Sequence, residues 1–174
     1  MKCYIGIDVG GKGFITVCTP SGEYKFLSIE DNDALGINEF LKSVLDEYKN
    51  VFCAIEEVHA LFGSSAKSTF SFGEINGLLK GLLIANKIPF ELVPPKKWQE
   101  EIWRNSDMVY EYKIVNTKNG EQKRKMTNTK QTSFNAAKRL FPNIDLRKSN
   151  RAVKLDDNKC DSLLICEYAR RKNL

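Results

Sequence analysis

"YIGIDVG", residues 4–10, is the stretch on which the fold turns. Tyr4, Ile5, Gly6 and Ile7 read as a buried strand, β-branched or aromatic and with little polarity. The strand ends on a carboxylate, Asp8, just before Gly10 and Gly11. An unpaired carboxylate is costly to bury, so Asp8 needs a partner. It is either a turn aspartate beside glycines or a metal ligand, and a metal ligand requires further carboxylates elsewhere in the chain.

Working outward, residues 2–8, 13–19 and 23–29 read as three strands, with "PSGEY" turning the second into the third. Leu35, Phe40, Leu41, Val44, Leu45 and Tyr48 follow helical spacing over residues 33–48. "VFCAIEEV", residues 51–58, is a fourth strand, and the loop beginning "HALFGSS" leads into a helix of roughly residues 68–87. Gly73, Gly77 and Gly81 fall on one face of that helix. They lower helix propensity and permit another backbone to come close, either the protein's own sheet or a second chain. "PFELVP" is a fifth strand, followed by a short helix at 96–103 that carries Trp98 and Trp103. "KQTSFNAAKRLFP" and "DDNKCDSLLICEYARRK" supply two more helices. Short turns join the first three strands and helices separate the later ones. The expected class is therefore α/β, a five-stranded mixed sheet with helices on both faces. A single domain spanning 1–174 is expected.

Hydrophobic residues make up 42% of the 174 and charged residues 28%, which is ordinary for a globular protein. No apolar run approaches the roughly 18 residues of a membrane span, and the opening "MKCYIGIDVG" lacks a signal-peptide layout. The five cysteines are scattered without a CxxC pair, which argues against zinc and against a disulfide framework. Reduced thiols fit a cytoplasmic protein. The net charge is +5, unevenly distributed. Arg104 to Lys154 holds thirteen Lys or Arg against four Asp or Glu, a net of +9, so the remainder carries −4. A basic surface beside an acidic body suggests a nucleic-acid partner, with a solvated charged face as the plain alternative.

Two further acidic clusters match the first. The fourth strand ends in Glu56-Glu57, and strand alternation lets only one of the two point at a given site. On the last helix Asp157 and Asp161 are four apart and share a face. Asp156 or Asp157 serves equally as an N-cap, but capping leaves Asp161 unexplained. Three carboxylate clusters on separate elements suggest Mg2+, which prefers oxygen ligands. A pair of such ions supports phosphodiester hydrolysis. His59 is the sole histidine and no GxSxG elbow is present, which leaves little for a serine triad. The absence of a GxxxxGK[ST] loop argues against a P-loop NTPase.

Taken in order, "IGIDVGGKG", "AIEEVHALFGSSAKSTFSFG", "VPPKKWQ", "AAKRLFPNIDL" and "DDNKCDSLLICEYARR" resemble the RuvC-type Holliday junction resolvases, most closely the shorter branch carried by bacteriophages and prophages. The resemblance spans nearly the whole chain except residues 107–127. It implies a ribonuclease H-like fold and a Mg2+-dependent endonuclease, with Mn2+ as a substitute, two ions per site, branched DNA as substrate and a homodimeric state. A phage-encoded enzyme would act in the bacterial host cytoplasm. The implied metal ligands are Asp8, Glu56 (rather than Glu57), Asp157 and Asp161, with Asp156 or Asn158 able to share the role of Asp157. The family's junction-wedging aromatic corresponds to His59, to Phe62, or to nothing in this chain. Gly10 and Gly11 would keep side-chain bulk away from a substrate phosphate. Lys96, Lys97, Lys123, Arg124, Lys125, Arg147, Lys148 and Arg151 are the DNA-binding candidates. An actin-like ATPase or sugar kinase shares the strand–DxG–strand opening but requires a second domain. An RNA-processing nuclease of the same fold and a non-catalytic DNA-binding module are the other readings.

Residues 106–127 stand apart. "MVYEYKIV" is strand-like, Asn119-Gly120 is a strong hairpin-turn signal, and Lys123, Arg124 and Lys125 follow in succession. A projecting β-hairpin with a basic arm is expected, used on DNA or in contact between copies.

Overall fold

The computed structural model describes residues 2–58, 65–117 and 120–174. A mixed sheet of five strands carries the fold, in the order β3-β2-β1-β4-β5. The strands are β1 (Cys3–Asp8), β2 (Phe14–Cys18), β3 (Tyr24–Ser28), β4 (Val51–Glu56) and β5 (Phe90–Val93). The first three pair antiparallel, whereas β4 runs parallel to β1 and β5 parallel to β4. The expected α/β architecture is present, with helices on both faces.

Strand alternation sorts the core into two layers. Ile5, Ile7, Ile15, Val17, Cys53 and Ile55 face α1 (Ala34–Glu47) and α2 (Ala66–Ala85), which add Ile37, Leu41, Val44, Leu79 and Leu83. Tyr4, Cys18, Ala54 and Val93 face the other way, toward α3 (Pro95–Ile102), α4 (Thr129–Leu140) and α5 (Asp157–Lys172). α5 is buried along most of its length, from Cys160 to Ala169, and lies directly on β1 and β2. The sheet is cut away to receive it. A Cβ on Gly6 would sit 2.2 Å from the Cys166 amide nitrogen and 2.4 Å from the Ser162 carbonyl oxygen. Beside it Thr16 Oγ1 and Ser162 Oγ share a hydrogen bond of 2.7 Å, which satisfies two buried hydroxyls.

The helix ends follow local chemistry. The Asp33, Ser65, Asn128 and Asp156 side chains accept from backbone N–H groups in the first turns of α1, α2, α4 and α5. Ser65 capping starts α2 two residues earlier than helical spacing suggests. Asp156, one of two candidates for the purpose, is the cap of α5. All five cysteines are unpaired and buried. Among the described residues no helix is long and apolar enough to cross a membrane.

Of the helix glycines, Gly73, Gly77 and Gly81 would place a Cβ in open space, so they do not pack on the protein's own sheet. Among the described residues nothing covers their face of α2, and Phe70 (69% exposed) and Ile84 (66%) project from the same helix. The segment outside the family resemblance forms the expected hairpin, β6 (Tyr110–Thr117) and β7 (Gly120–Thr127), paired antiparallel from Tyr110↔Thr127 to Thr117↔Gly120.

Gly6→Ala is expected to cost ~3 kcal/mol or more, because the added methyl meets helix backbone, which cannot swing aside. Urea unfolding of the two proteins checks this. A loss below ~1 kcal/mol would contradict the close seating of α5.

Candidate active site

Asp8 is the last residue of β1 and Glu56 the last of β4. The parallel register pairs Gly6 with Ala54 and Ile7 with Ile55, which brings Asp8 and Glu56 level at the ends of neighbouring strands. Both lie on the face that receives α5, and their side chains are within hydrogen-bonding reach. Glu57, one residue on, points elsewhere, and its backbone N–H donates to the Val93 carbonyl at 2.8 Å. Alternation thus selects one of the two glutamates. α5 brings Asp157, its first residue, and Asp161, one turn later. Four carboxylates from three elements are neighbours at the C-terminal ends of the two central strands, β1 and β4.

Their surroundings oppose the charge they carry. Burial, then the charges of Glu56, Asp161 and Asp157, pushes Asp8 well above the usual carboxylate range. Burial also raises Glu56, although its Oε1 accepts a 3.0 Å bond from Trp98 Nε1. Asp161 is pushed up to about 7, mainly by burial and further by Glu56 and Asp157. A hydrogen bond from Ser133 partly offsets the shift. Its Oδ1 is buried with no hydrogen-bond partner. Asp157 pairs with Lys130, from the first turn of α4.

A buried, partnerless carboxylate oxygen amid like charges calls for a cation. An all-oxygen anionic donor set suits Mg2+ rather than a soft metal. As the side chains stand, no three acidic, histidine or cysteine groups among the described residues converge closely enough to enclose an ion. Lys130, held to Asp157, supplies positive charge instead. The donors therefore fit a hard divalent ion in kind, while their placement would have to tighten around one, with Asp157 leaving its lysine.

Three contributors escape a reading of the sequence: Lys130, Ser133 and Trp98. Each reaches the cluster through helix docking, and no spacing rule links them to it. Gly13 was also unanticipated. A Cβ there would lie 2.2 Å from the Asp8 carbonyl oxygen, whereas Gly10 and Gly11 would meet only ordinary side-chain contacts. The fold thus demands Gly13 and leaves Gly10 and Gly11 optional.

The basic candidates are spread over three elements. Lys96 and Lys97, on α3, pair with Glu100 (3.7 Å) and Glu91 (2.7 Å). In the link before α5, Arg147 pairs with Asp145 (2.7 Å) and Lys148 with Glu30 (2.6 Å) and Asp31. Arg151, in the same link, is exposed and makes no ion pair among the described residues. Lys123, Arg124 and Lys125 line β7. Surface pairs of this kind contribute little and yield readily to a phosphate. His59 and Phe62 lie outside the described residues.

No family model and no curated relative matches the chain. Solved structures do, two of RuvC among them. Thermus thermophilus RuvC in complex with a Holliday junction substrate superposes with a TM-score of 0.56 at 11% identity, covering 99% of this chain and 96% of that one. A second Thermus thermophilus RuvC structure gives 0.55 at 14%, covering 98% and 96%. The fold is that of RuvC. The likeness to RuvC runs the length of both chains, so the five-stranded sheet and its helices are common to them.

The raised pKa of Asp161 has a consequence for stability. Between the unfolded value of about 4 and about 7, the folded chain holds a proton that the unfolded chain has released. Stability without metal therefore falls as pH rises through that window. In chelator, Asp161→Asn should raise the thermal midpoint at pH 8 by ~3 °C or more and change it little at pH 4. An unchanged or lower midpoint at pH 8 would show that the charge is already compensated.

Proposed function

We propose that the protein is a structure-selective, metal-dependent endodeoxyribonuclease that cuts Holliday junctions and other branched DNA. The observation that carries it is the grouping of Asp8, Glu56, Asp157 and Asp161 at the ends of the two central strands, in a fold shared with a RuvC–junction complex. These four would hold Mg2+, two ions per site, or Mn2+ in its place. Held by these residues, the ions would supply activation of a water and stabilisation of a leaving oxygen. The chain's own contribution is to place the carboxylates on rigid elements. Burial by α5 limits the access of bulk water, and Trp98 orients Glu56. Residues 1–174 act as one nuclease domain into which 107–127 are inserted. The four-residue spacing of Asp157 and Asp161 supports the phage branch of the family, and hence action in a bacterial cytoplasm.

A four-way junction is two-fold symmetric, and paired cuts require two sites related by that axis. The open glycine face of α2 favours a homodimer. A groove of about 680 Å³ bordered by Ala66, Thr69, Phe70, Gly73 and Glu74 offers apolar surface to the same face of a second copy.

Asp8→Asn and Glu56→Gln should each lower Mg2+-dependent cleavage of a synthetic four-way junction more than about a hundredfold, a loss of ~3 kcal/mol. Junction affinity should hold within about threefold, because phosphate contacts elsewhere supply it. Glu57→Gln is the control and should stay near wild type. Cleavage within tenfold of wild type by either variant would reject the assignment, and preferential cleavage of structured RNA would reassign the substrate.

Sedimentation velocity should show a dimer with or without junction DNA, and Phe70→Asp should shift it toward monomer. A monomer under both conditions rejects the dimer.

A further inference from the structure

The β6–β7 hairpin carries an aromatic face that the carboxylate cluster does not account for. Residues opposite one another in an antiparallel pair share a face. One face therefore holds Tyr110, Tyr112 and Ile114 from β6, and Lys123, Lys125 and Thr127 from β7. The lysines interleave with the rings: Lys125 Nζ lies 3.9 Å from the Tyr110 ring centroid and Lys123 Nζ 5.1 Å from that of Tyr112. These apolar groups are exposed, Tyr110 by 50%, Tyr112 by 63% and Ile114 by 69%. The register also places one acid on this face, Glu121 opposite Asn116 near the tip, where Lys123 and Lys125 outnumber it. Glu111, on the other face, is occupied by Lys113 (2.8 Å) and the Asn128 amide (3.2 Å).

The base of the hairpin is fixed. Asp107, just before β6, is buried and held by Arg139 of α4 through bonds of 2.9 and 2.6 Å. The Val109 N–H donates to Thr132 Oγ1 at 3.1 Å, and the Asn128 N–H to the Val109 carbonyl at 2.8 Å. β7 then runs through Asn128 straight into α4, whose Lys130 holds Asp157. The root of the hairpin and the carboxylate cluster are thereby joined through the first turn of α4.

We infer that the Tyr110–Tyr112–Ile114 face, with Lys123 and Lys125, is a stacking platform for single-stranded DNA beside the cutting site. Alternate residues of β6 stand about 7 Å apart, so the two rings serve successive unpaired bases while the ammonium groups take the adjoining phosphates. Stacking on aromatic side chains beside a basic track is how single strands are held without sequence preference. The positive charge on this face favours a polyanion over an apolar protein partner. A fully paired duplex hides the base faces that the rings would contact. The inference rests on the proposed DNA-cutting function for the choice of DNA over RNA, and it extends the substrate to junctions or forks with an unpaired arm.

The test is fluorescence anisotropy of the full chain in chelator, with labelled oligo(dT), oligo(U), linear duplex and a fully paired four-way junction. Wild type should bind oligo(dT). Tyr110→Ala with Tyr112→Ala should weaken that binding tenfold or more, with duplex and junction affinity held within threefold. Tyr110→Phe with Tyr112→Phe should restore it, since stacking requires the ring and not the hydroxyl. Lys123→Ala with Lys125→Ala should flatten the salt dependence by roughly 0.7 per lost phosphate contact. No oligo(dT) binding by wild type, unchanged affinity in the Ala pair, or an equal loss on duplex would each overturn the platform. Oligo(U) bound tenfold tighter than oligo(dT) would overturn its assignment to DNA. Mg2+-dependent junction cutting is scored separately on the same proteins, so failure to cut counts against the nuclease and leaves the binding result standing.

Discussion

The close seating of α5 on β1 at Gly6 is the contact on which the rest depends. A helix backbone can approach a strand this closely only where the strand presents no side chain. Thr16 and Ala54 flank the gap with small residues, and Ser162 ties the helix to β2. The translation of α5 along β1 is thereby set. Asp161, which precedes Ser162, comes to the level of Asp8, two residues beyond Gly6. Nothing in the carboxylates themselves favours this meeting, since they repel. The apolar helix–sheet interface imposes it.

Burial of like charges has an energetic cost that the core absorbs. Below Asp157 and Asp161, α5 is buried from Cys160 to Ala169, and each apolar side chain placed there contributes on the order of 1.5–3 kcal/mol. At its far end the charge logic is inverted. Glu167 is buried but held below the usual range by bidentate Arg170 and by Arg171, so it is a satisfied anion. The same helix therefore carries one acid fully paired by the chain and another, Asp161, left with a bare oxygen. A structural acid recruits protein donors; an acid that serves a bound ion leaves its lone pairs open.

The second platform of the molecule is α4. It buries Ala136 and Ala137 against α5 and its partners, and presents Lys130 and Ser133 to the carboxylates. Through Arg139 and Thr132 it also anchors the root of the hairpin. A two-stranded ribbon is marginal by itself in water. Its stiffness at the root comes from the buried Asp107–Arg139 pair, not from the strands.

The period of the sequence determined the strands, the helices and the order in which they alternate, because burial on one or two faces writes itself into side-chain spacing. It also grouped Asp157 with Asp161 and limited the Glu56-Glu57 pair to one site residue, since both follow from local geometry; which glutamate it is came from the pairing of β4 with β1. Asn119-Gly120 announced the hairpin by the same logic. Other features were decided only by the tertiary structure. That Asp156 caps α5, that Lys130 guards Asp157, that Trp98 binds Glu56 and that the glycines of α2 face outward all depend on how helices dock. Docking is set by shape at contacts far apart in the chain, of which Gly6 against Ser162 and Cys166 is the clearest. A glycine in a strand reads as a weakness in the sequence, and only the helix lying against it reveals the reason for it.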